Sequence, residues 1–471
     1  MGINIVAAFT NKSFGIGFNG RMPWKITEDL QHFKTLTENK VVVMGRGTWD
    51  SLPKKPLPNR MNIIITKHAH ELQDVHKYGN SVRFADPDDM DELLAQYDRQ
   101  GDDVFVIGGE RVFADYVGIA KKIYATIIEK DYECDRFFPT KYFDRYEIEE
   151  YSPLMFSQES DCYFRYITYT YKTGKQQHCE YQYLDLLKDV MTHGKDRPDR
   201  TQIGTRSLFG KQMRFDISKS IPLVTTKFVP WKLTIKELLW FVKGQTDSKI
   251  LEKQGVNIWR DNTTREFLNK RGLNHYEVGD CGPMYGFNWR HFGAHYIGCH
   301  ASYMGLGVDQ LNSLVDGLKK DPFSRRHMIT TYNPNNVDEG VLPPCHGIVV
   351  QFYVDEDEQG DKILSCHMYQ RSADSFLGLA INIASYSILT YVVAKMVGMK
   401  PNELIISTGD THIYLNHMSQ VKEQLERTPL PQPKLIVRDE VSKKSFDELD
   451  LSDFDVVGYL HHHTIRAQMA V

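Results

Sequence analysis

Residues 15–24 read Gly15-Ile-Gly-Phe-Asn-Gly-Arg-Met-Pro-Trp24. The first six fit G-x-G-x-x-G after the apolar run 3–9, the fingerprint of a dinucleotide site in which a helix starts inside the motif and its first amides meet a pyrophosphate. Pro23 disfavours helix at Met22, so this reading is set aside for a glycine-rich mobile loop over a ligand. The fold of the first third is then decided by what surrounds the loop. Thr27–Thr37 has helical spacing, with Leu30 and Phe33 on one side. Residues 40–44 and Met61–Ile65 are short strands of branched residues, and 86–91 opens a helix with acidic residues suited to its positive end. Residues 103–107 form a strand ending at Gly108-Gly109, and Lys122–Ile128 and 163–171 are late strands. This alternation implies an α/β layer on a mainly parallel sheet.

The pattern lapses in a polar stretch at about 172–182, which sets a boundary between a domain over 1–175 and one over 176–471. A helix starts the second region at 183–191, and a mixed α+β pattern follows. With 471 residues the chain is too long for one ordinary core. Its 41% hydrophobic and 25% charged residues are ordinary for a globular protein. A net charge of −4 argues against nucleic acid as the main partner.

The seven cysteines (Cys134, Cys162, Cys179, Cys281, Cys299, Cys345 and Cys366) are odd in number and contain no C-x-x-C, so neither a disulfide framework nor a cysteine-based zinc site is expected. A reducing compartment fits, and one thiol is available as a nucleophile. The first residues lack a basic region and a cleavage site. Val6 stands where a myristoylation signal needs Ser or Thr. A cytoplasmic location is expected. The most apolar stretch, 378–399, is interrupted by Asn382, Ser385, Ser387 and Lys395. Its helical spacing reads as a buried core helix rather than a membrane span.

Five segments of the first domain stand in a telling order: Gly20-Arg-Met-Pro-Trp24, Glu28-Asp29-Leu30 with Phe33, Val43-Met-Gly-Arg-Gly-Thr-Trp49, Pro56-Leu-Pro-Asn-Arg60 and Val106-Ile-Gly-Gly-Glu-Arg111. Each alone is weak. At these intervals, over about residues 3–172, they closely resemble dihydrofolate reductase. That chemistry needs a hydride at C6 and a proton at N5 of the pterin, and a buried carboxylate suits the second task. Asp29 is the candidate, with Phe33 four residues on along the same helix face. Glu28 is the rival, about 100° round the helix. The resemblance favours Asp29 and implies NADPH as cofactor. Gly45, Arg46 and Thr48 would meet its phosphates, Arg46 approaching the 2′-phosphate with Thr66 and Lys67 nearby. Ala8 and Ile16 would line the cofactor cleft, and Gly108-Gly109 would let the backbone approach the pyrophosphate. Arg60 would pair with the folate α-carboxylate, and Thr126 would support Asp29. Gly47 stands where some family members carry a bulkier residue.

Leu342-Pro-Pro-Cys-His-Gly-Ile348 is the most specific motif of the chain. It is joined by Asp199-Arg-Thr201, Glu237-Leu-Leu-Trp-Phe241, Ser324-Arg-Arg-His327, the stretch Tyr369-Gln-Arg-Ser-Ala-Asp374 running on to Asn382, Gly409-Asp-Thr-His-Ile-Tyr414 and the ending Ala467-Gln-Met-Ala-Val471. Together these resemble thymidylate synthase over about 180–471. The resemblance implies methylation of dUMP by 5,10-methylenetetrahydrofolate, which leaves dihydrofolate. Cys345 would be the thiolate that adds at C6, its pKa lowered by nearby arginines. Arg200, Arg371 and Ser372 would hold the phosphate, with Arg325 and Arg326 supplied by the other subunit of a homodimer formed through this domain. Gln370 would also line the nucleotide site, Asn382 would bind the uracil edge, and His412 and Tyr414 the ribose hydroxyl. Glu237 and Tyr285 would organise proton transfers. Asp374 would contact both nucleotide and pterin, over Trp259 and Leu342, and the Val471 carboxylate would close the site. An amide at 382 suits uracil, where a carboxylate would suit cytosine.

Three departures from the synthase pattern stand out: Arg260 where Asp is common, Gln202 where Gly is common, and His461-His-His463 where Pro is often present. The three histidines are read as solvent-exposed, and no metal is expected. The order, reductase first, resembles the fused enzymes of protists and plants. The alternative is a chain in which one domain is silent and acts as a dimerisation or regulatory scaffold. Intact Asp29 and Cys345 argue against it.

Overall fold

The computed structural model of the chain describes residues 2–71, 78–174 and 177–468. It divides into two compact units. The first comprises Met1–His178 with two short later segments, Thr428–Gln432 and Gly458–His463; the second comprises the rest.

The first unit is built on a nine-stranded sheet. Strand Ile3–Thr10 lies at its centre, parallel to Val104–Gly108 on one side and to Lys122–Ile128 on the other. Val41–Gly45, Met61–Ile65 and Val82–Ala85 continue the parallel run outward. Cys162–Tyr171 closes the far side antiparallel. The strands read as continuous branched apolar runs because a parallel sheet is covered on both faces. Val41 to Met44 and Ile63 to Ile64 are all buried. Trp49 packs with Val42, Met44, Ile64 and Phe105 on one face; Phe9 stacks on Phe138 at 4.7 Å nearby in the chain's aromatic core.

The alternation expected from sequence is therefore present, and the glycine segment resolves differently. Gly15–Gly17 is a short strand paired with Arg136–Phe137. Phe18 and Arg21 exchange both backbone hydrogen bonds across Asn19-Gly20, at φ 49° and 73°. That is a two-residue hairpin turn, for which Asn-Gly is the preferred sequence. No helix begins inside the motif, which removes the dinucleotide-fingerprint reading. The acidic run near 86–91 does open a helix, Met90–Gln100, after a 3-10 turn in which the Asp86 carboxylate accepts from Asp88 N–H; Gly101 at φ 77° ends it.

The second unit carries a six-stranded sheet in the order Lys195–Arg197, Thr205–Asp216, Lys400–Tyr414, Lys362–Asp374, Val349–Glu356, Met328–Thr330. All pairs are antiparallel except Lys362–Asp374 with Lys400–Tyr414. Helix Gly378–Val397 makes that parallel crossover. It is long and apolar enough to cross a membrane by composition, yet most of its residues are buried inside the unit. Its internal hydroxyls are satisfied locally, Ser387 donating to the Ile383 carbonyl and Thr390 to that of Tyr386. Gly398 at φ 70° caps it.

Helix Trp231–Val242 packs on the short helix Gly286–Arg290 so closely that a Cβ on Gly286 would overlap the Phe241 carbonyl oxygen and lie 2.7 Å from Phe241 Cα. The Gly286→Ala substitution is therefore expected to destabilise the second unit by about 1–3 kcal/mol, since both obstacles are backbone. Denaturant unfolding measures this; an unchanged midpoint would show that the two helices separate without cost.

Candidate functional site

In the first unit the expected residues converge on the carboxyl ends of the parallel strands, where open α/β sheets bind ligands. Parallel register sets Ala8 beside Thr126 and Gly45 beside Ile65. Arg46 and Thr66 thus follow directly from paired strand ends, with exposed Lys67 next in the chain. Arg46 Nε donates to Asp50 at 2.9 Å, which fixes the base of its side chain. Helices start at Arg46 and at Glu110, immediately after Gly45 and Gly109. Thr48 Oγ1 lies against this ledge: a Cβ on Gly108 would approach it to 3.2 Å and one on Gly109 to 3.3 Å. Gly108 also adopts φ 133°. A Cβ on Gly47 would meet nothing within 4 Å, so the departure there leaves open space. Ile16 sits half-buried in the short strand beside this cleft's hairpin.

Asp29 projects from helix Thr27–Thr37 and accepts a 2.5 Å hydrogen bond from Thr126 Oγ1. Burial pushes its carboxyl above the ordinary value, and the Thr126 bond offsets part of that. Glu28 is exposed on the neighbouring face. One turn on, Phe33 lies 5.6 Å beneath the Arg60 guanidinium. Arg60 is buried and aimed by two bonds, Nε to Thr37 Oγ1 at 2.9 Å and one Nη to the Pro58 carbonyl at 3.2 Å. His32 stacks on Tyr166 at 3.9 Å and walls the same helix. Acid, aromatic wall and cation are thus presented in sequence along one helix face.

In the second unit Cys345 is gripped by Tyr285. The phenol oxygen accepts from Cys345 N–H at 3.0 Å and lies 3.4 Å from Sγ. Tyr285 holds φ 38° and ψ −101° to reach it, a conformation costly for an aromatic residue and typical of strain kept at a working site. Arg371 donates to the carbonyls of Pro343 and Pro344, and Ser372 N–H to that of Cys345. The prolines therefore dock onto strand Lys362–Asp374.

The thiol differs from expectation. Burial raises its pKa above 9.0, outweighing the Tyr285 bond and the Arg371 charge that pull it down; Glu237 adds to the rise. Arg325 and Arg326 lie on an exposed loop between helix Gln310–Lys320 and strand Met328–Thr330. Arg371 is an arginine whose charge lowers the Cys345 pKa in the single chain.

Glu237, on helix Trp231–Val242, accepts from Trp259 Nε1 at 3.0 Å. Burial lifts its carboxyl from 4.5 to about 7. Gln370 Nε2 donates to Asn382 Oδ1 at 3.0 Å and to the Ser372 carbonyl at 3.1 Å, which orients the Asn382 amide; Gln370 Oε1 is buried with no partner among the described residues. Register places Asp374 beside His412, whose Nδ1 is 3.1 Å from Asp410, with Tyr414 two residues on. Asp374 Oδ1 accepts from Phe376 and Leu377 N–H. Arg200 rides on a loop closed by the Asp199 carboxylate, which accepts from Thr201 and Gly204. Gln202 sits there at φ 64°, the backbone reason that glycine suits the position. Arg260 turns outward to Glu252 at 3.1 Å and to Asn257. Leu342 is half-buried. The expected role of Val471 falls outside the described residues.

Of the three histidines expected to be solvent-exposed, His463 is exposed, whereas His461 and His462 are half-buried and bonded to backbone carbonyls, His462 to that of Thr428.

Two site residues carry no expectation from sequence. His346 stacks on Tyr285 at 4.5 Å and shares a 2.9 Å hydrogen bond with the Tyr386 hydroxyl. Burial pushes it down to about 3, so it is neutral. The signal was Gly347: at φ 62°, a Cβ there would overlap the Tyr386 hydroxyl. Lys227 is buried over the Phe376 ring at 3.9 Å and donates to the Phe376 carbonyl; burial brings it down to about 8 although Asp374 and Glu180 act to raise it.

With this geometry in place, comparisons with known proteins give a consistent answer. The dihydrofolate reductase family profile matches residues 2–171 and the thymidylate synthase profile residues 181–471. A bifunctional dihydrofolate reductase-thymidylate synthase of Zea mays is 39% identical over 513 positions, covering 99% of this chain and 96% of its own. The bifunctional enzyme of Paramecium tetraurelia is 38% identical, covering 98% of this chain and all of its own, and that of Plasmodium chabaudi is 35% identical. The chain belongs to the bifunctional dihydrofolate reductase-thymidylate synthase family.

Proposed function

We propose that the second unit converts dUMP to dTMP with 5,10-methylenetetrahydrofolate, and that the first unit returns the resulting dihydrofolate to tetrahydrofolate with NADPH. The observation that carries the first half is the Tyr285–Cys345–Arg371 arrangement, and for the second half the buried Asp29–Thr126 pair.

NADPH supplies the hydride when bound. The glycine ledge at Gly45, Gly108 and Gly109 fits a pyrophosphate because side chains there would fill the approach, and Arg46 with Lys67 suits a 2′-phosphate. Asp29, with its raised pKa, holds the pterin amino edge and favours the proton at N5. Phe33 covers the ring, and Arg60 takes the folate carboxylate.

In the synthase unit the Cys345 proton must leave before Sγ bonds C6 of dUMP and makes C5 nucleophilic. Burial opposes this in the single chain, and the remedy is positive charge. Arg371 provides one guanidinium. Arg325 and Arg326 of a second copy would add two more beside the phosphate held by Arg200 and Ser372. A homodimer is supported by the sheet itself: Met328, Val349, Tyr353 and Tyr369 form an apolar patch on one face, joined by the Val349–Tyr369 and Met328–Gln351 registers and all exposed in the isolated chain. Asn382, oriented by Gln370, reads the uracil edge. Glu237, poised near neutrality, passes protons at the pyrimidine. The cysteines are free thiols, which supports a reducing, cytoplasmic setting.

Cys345→Ala is expected to abolish dTMP formation while leaving NADPH-dependent dihydrofolate reduction intact. Asp29→Asn should lower that reduction roughly 100-fold or more at neutral pH, with activity recovering as the pH falls and dTMP formation unaffected. A silent Asp29→Asn beside a damaging Glu28→Gln would reverse the assignment of the acid.

Mixing Cys345→Ala chains with Arg326→Ala chains under subunit exchange should restore part of the synthase activity, because each mixed dimer keeps one complete site. Activity no higher than that of the parents would show that Arg326 is not supplied by the second subunit.

Glu237 also gives a stability signature. Its folded pKa is raised, so the folded state binds the extra proton; stability present at low pH is lost as pH rises from 4.5 through about 7. Over that window the wild type should lose about 3 kcal/mol relative to Glu237→Gln. Parallel stability curves would contradict the buried carboxyl.

A further inference from the structure

Away from the nucleotide and folate residues, the second unit brings together three side chains of different chemistry. Cys299 Sγ lies 3.6 Å from Glu277 Oε1, and His300 Nε2 lies 2.9 Å from the same oxygen. All three donor atoms fall within 4.8 Å of one another. A tetrahedral ion with bonds of about 2.3 Å to sulfur and about 2.1 Å to oxygen holds those two atoms about 3.6 Å apart, so the thiol and carboxylate already stand at ligand spacing. The imidazole Nε2, 2.9 Å from that oxygen and within 4.8 Å of the sulfur, completes the set by moving off the oxygen and toward the sulfur once the ion replaces its hydrogen bond.

The loop that offers Cys299 is built rather than loose. Tyr303 Oη accepts from the N–H groups of Ile297 and Gly298 at 2.9 and 3.0 Å and donates to the Gly298 carbonyl. Cys299 N–H is held by Asp280 Oδ2 at 3.2 Å. Asp280 Oδ1 takes the Tyr296 hydroxyl at 2.6 Å, and Asp280 N–H bonds the Glu277 carbonyl at 3.1 Å. One buried residue, Asp280, therefore ties the backbone of both halves of the donor set, by its carboxylate at Cys299 and by its amide at Glu277. The charged groups bearing most on Cys299 are the carboxylates of Asp280, Asp247 and Glu277, a field that a cation complements. Glu277 and His300 are exposed, which leaves a path from solvent.

We propose that Glu277, Cys299 and His300 bind a borderline-soft divalent cation of the Zn2+ type, with water in the fourth position. A thiolate–imidazole–carboxylate set favours Zn2+ over Mg2+ or Ca2+, which take oxygen donors. Binding releases the Cys299 proton to solvent as the sulfur–metal bond forms. The ion braces the segment 277–285: Gly282 N–H rests on Asp280 Oδ1 at 2.8 Å, three residues before Tyr285.

The test is Co2+ titration of metal-stripped, full-length protein, followed by the thiolate-to-cobalt charge-transfer absorption and its displacement by Zn2+. One equivalent per chain is expected, with the band retained in Cys345→Ala and lost in Cys299→Ser and His300→Ala. Far-ultraviolet circular dichroism and reductase activity check that the variants fold. If Cys299→Ser does not fold, Glu277→Gln at an exposed position serves instead and should weaken Co2+ binding by about ten-fold or more. Absence of the band in the wild type, its survival in Cys299→Ser, or unchanged affinity in Glu277→Gln overturns the proposal.

Discussion

Strand register is the constraint on which both sites depend. In the first unit Thr126 reaches Asp29 only because Lys122–Ile128 is parallel to Ile3–Thr10 with Ala8 opposite Thr126, and the glycine ledge exists because Val41–Gly45 and Val104–Gly108 end level with each other. In the second, Asp374 opposite His412 and Val349 opposite Tyr369 bring the Cys345 loop, Arg371, Ser372 and His412 to one end of the sheet. A slip of one residue would turn every one of these side chains to the other face. The sheets hold register because burial fixes their faces: Val42 and Ile64 on one face and Val106 on the other in the first unit, Val350, Phe352 and Met368 on one face in the second, none of them more than 1% exposed.

On this frame both sites work by withholding water from ionisable groups. Asp29, Glu237 and Cys345 all have their neutral forms favoured by burial. For Asp29 and Glu237 that is an advantage, since a carboxyl poised between its two forms can give or take a proton. For Cys345 it is an obstacle, which the Tyr285 bond and the Arg371 charge offset in part. The strained Tyr285 is the counterpart in backbone form: its hydroxyl meets both the amide and the sulfur of Cys345, so the thiol is held in place by the chain itself.

Much of this was legible in the chain. Alternating apolar runs announced the parallel sheet, and helical spacing around 378–399 announced the buried crossover helix. The choice of Asp29 over Glu28 rested on resemblance and agrees with burial, since Glu28 is exposed. Local pattern misled at Gly15–Gly20, where the motif of a phosphate loop is a strand and an Asn-Gly turn; the deciding residues were Asn19 and Gly20 themselves. For the Cys345 thiol the sequence showed the arginines but not the burial that opposes them in the single chain, because desolvation is a property of the packed interior. The Glu277–Cys299–His300 group escaped for a different reason. Its members lie up to 23 positions apart, and no C-x-x-C spacing marks them; only the fold sets them side by side.

The central claim is that one chain both makes and consumes dihydrofolate. The direct measurement mixes the purified protein with dUMP and 5,10-methylenetetrahydrofolate, with and without NADPH, and follows dTMP and tetrahydrofolate together. The account predicts dTMP in both mixtures and net tetrahydrofolate formation only with NADPH. If dTMP forms but NADPH is never consumed, even when dihydrofolate is added, the first unit is a scaffold and the account of its site is wrong.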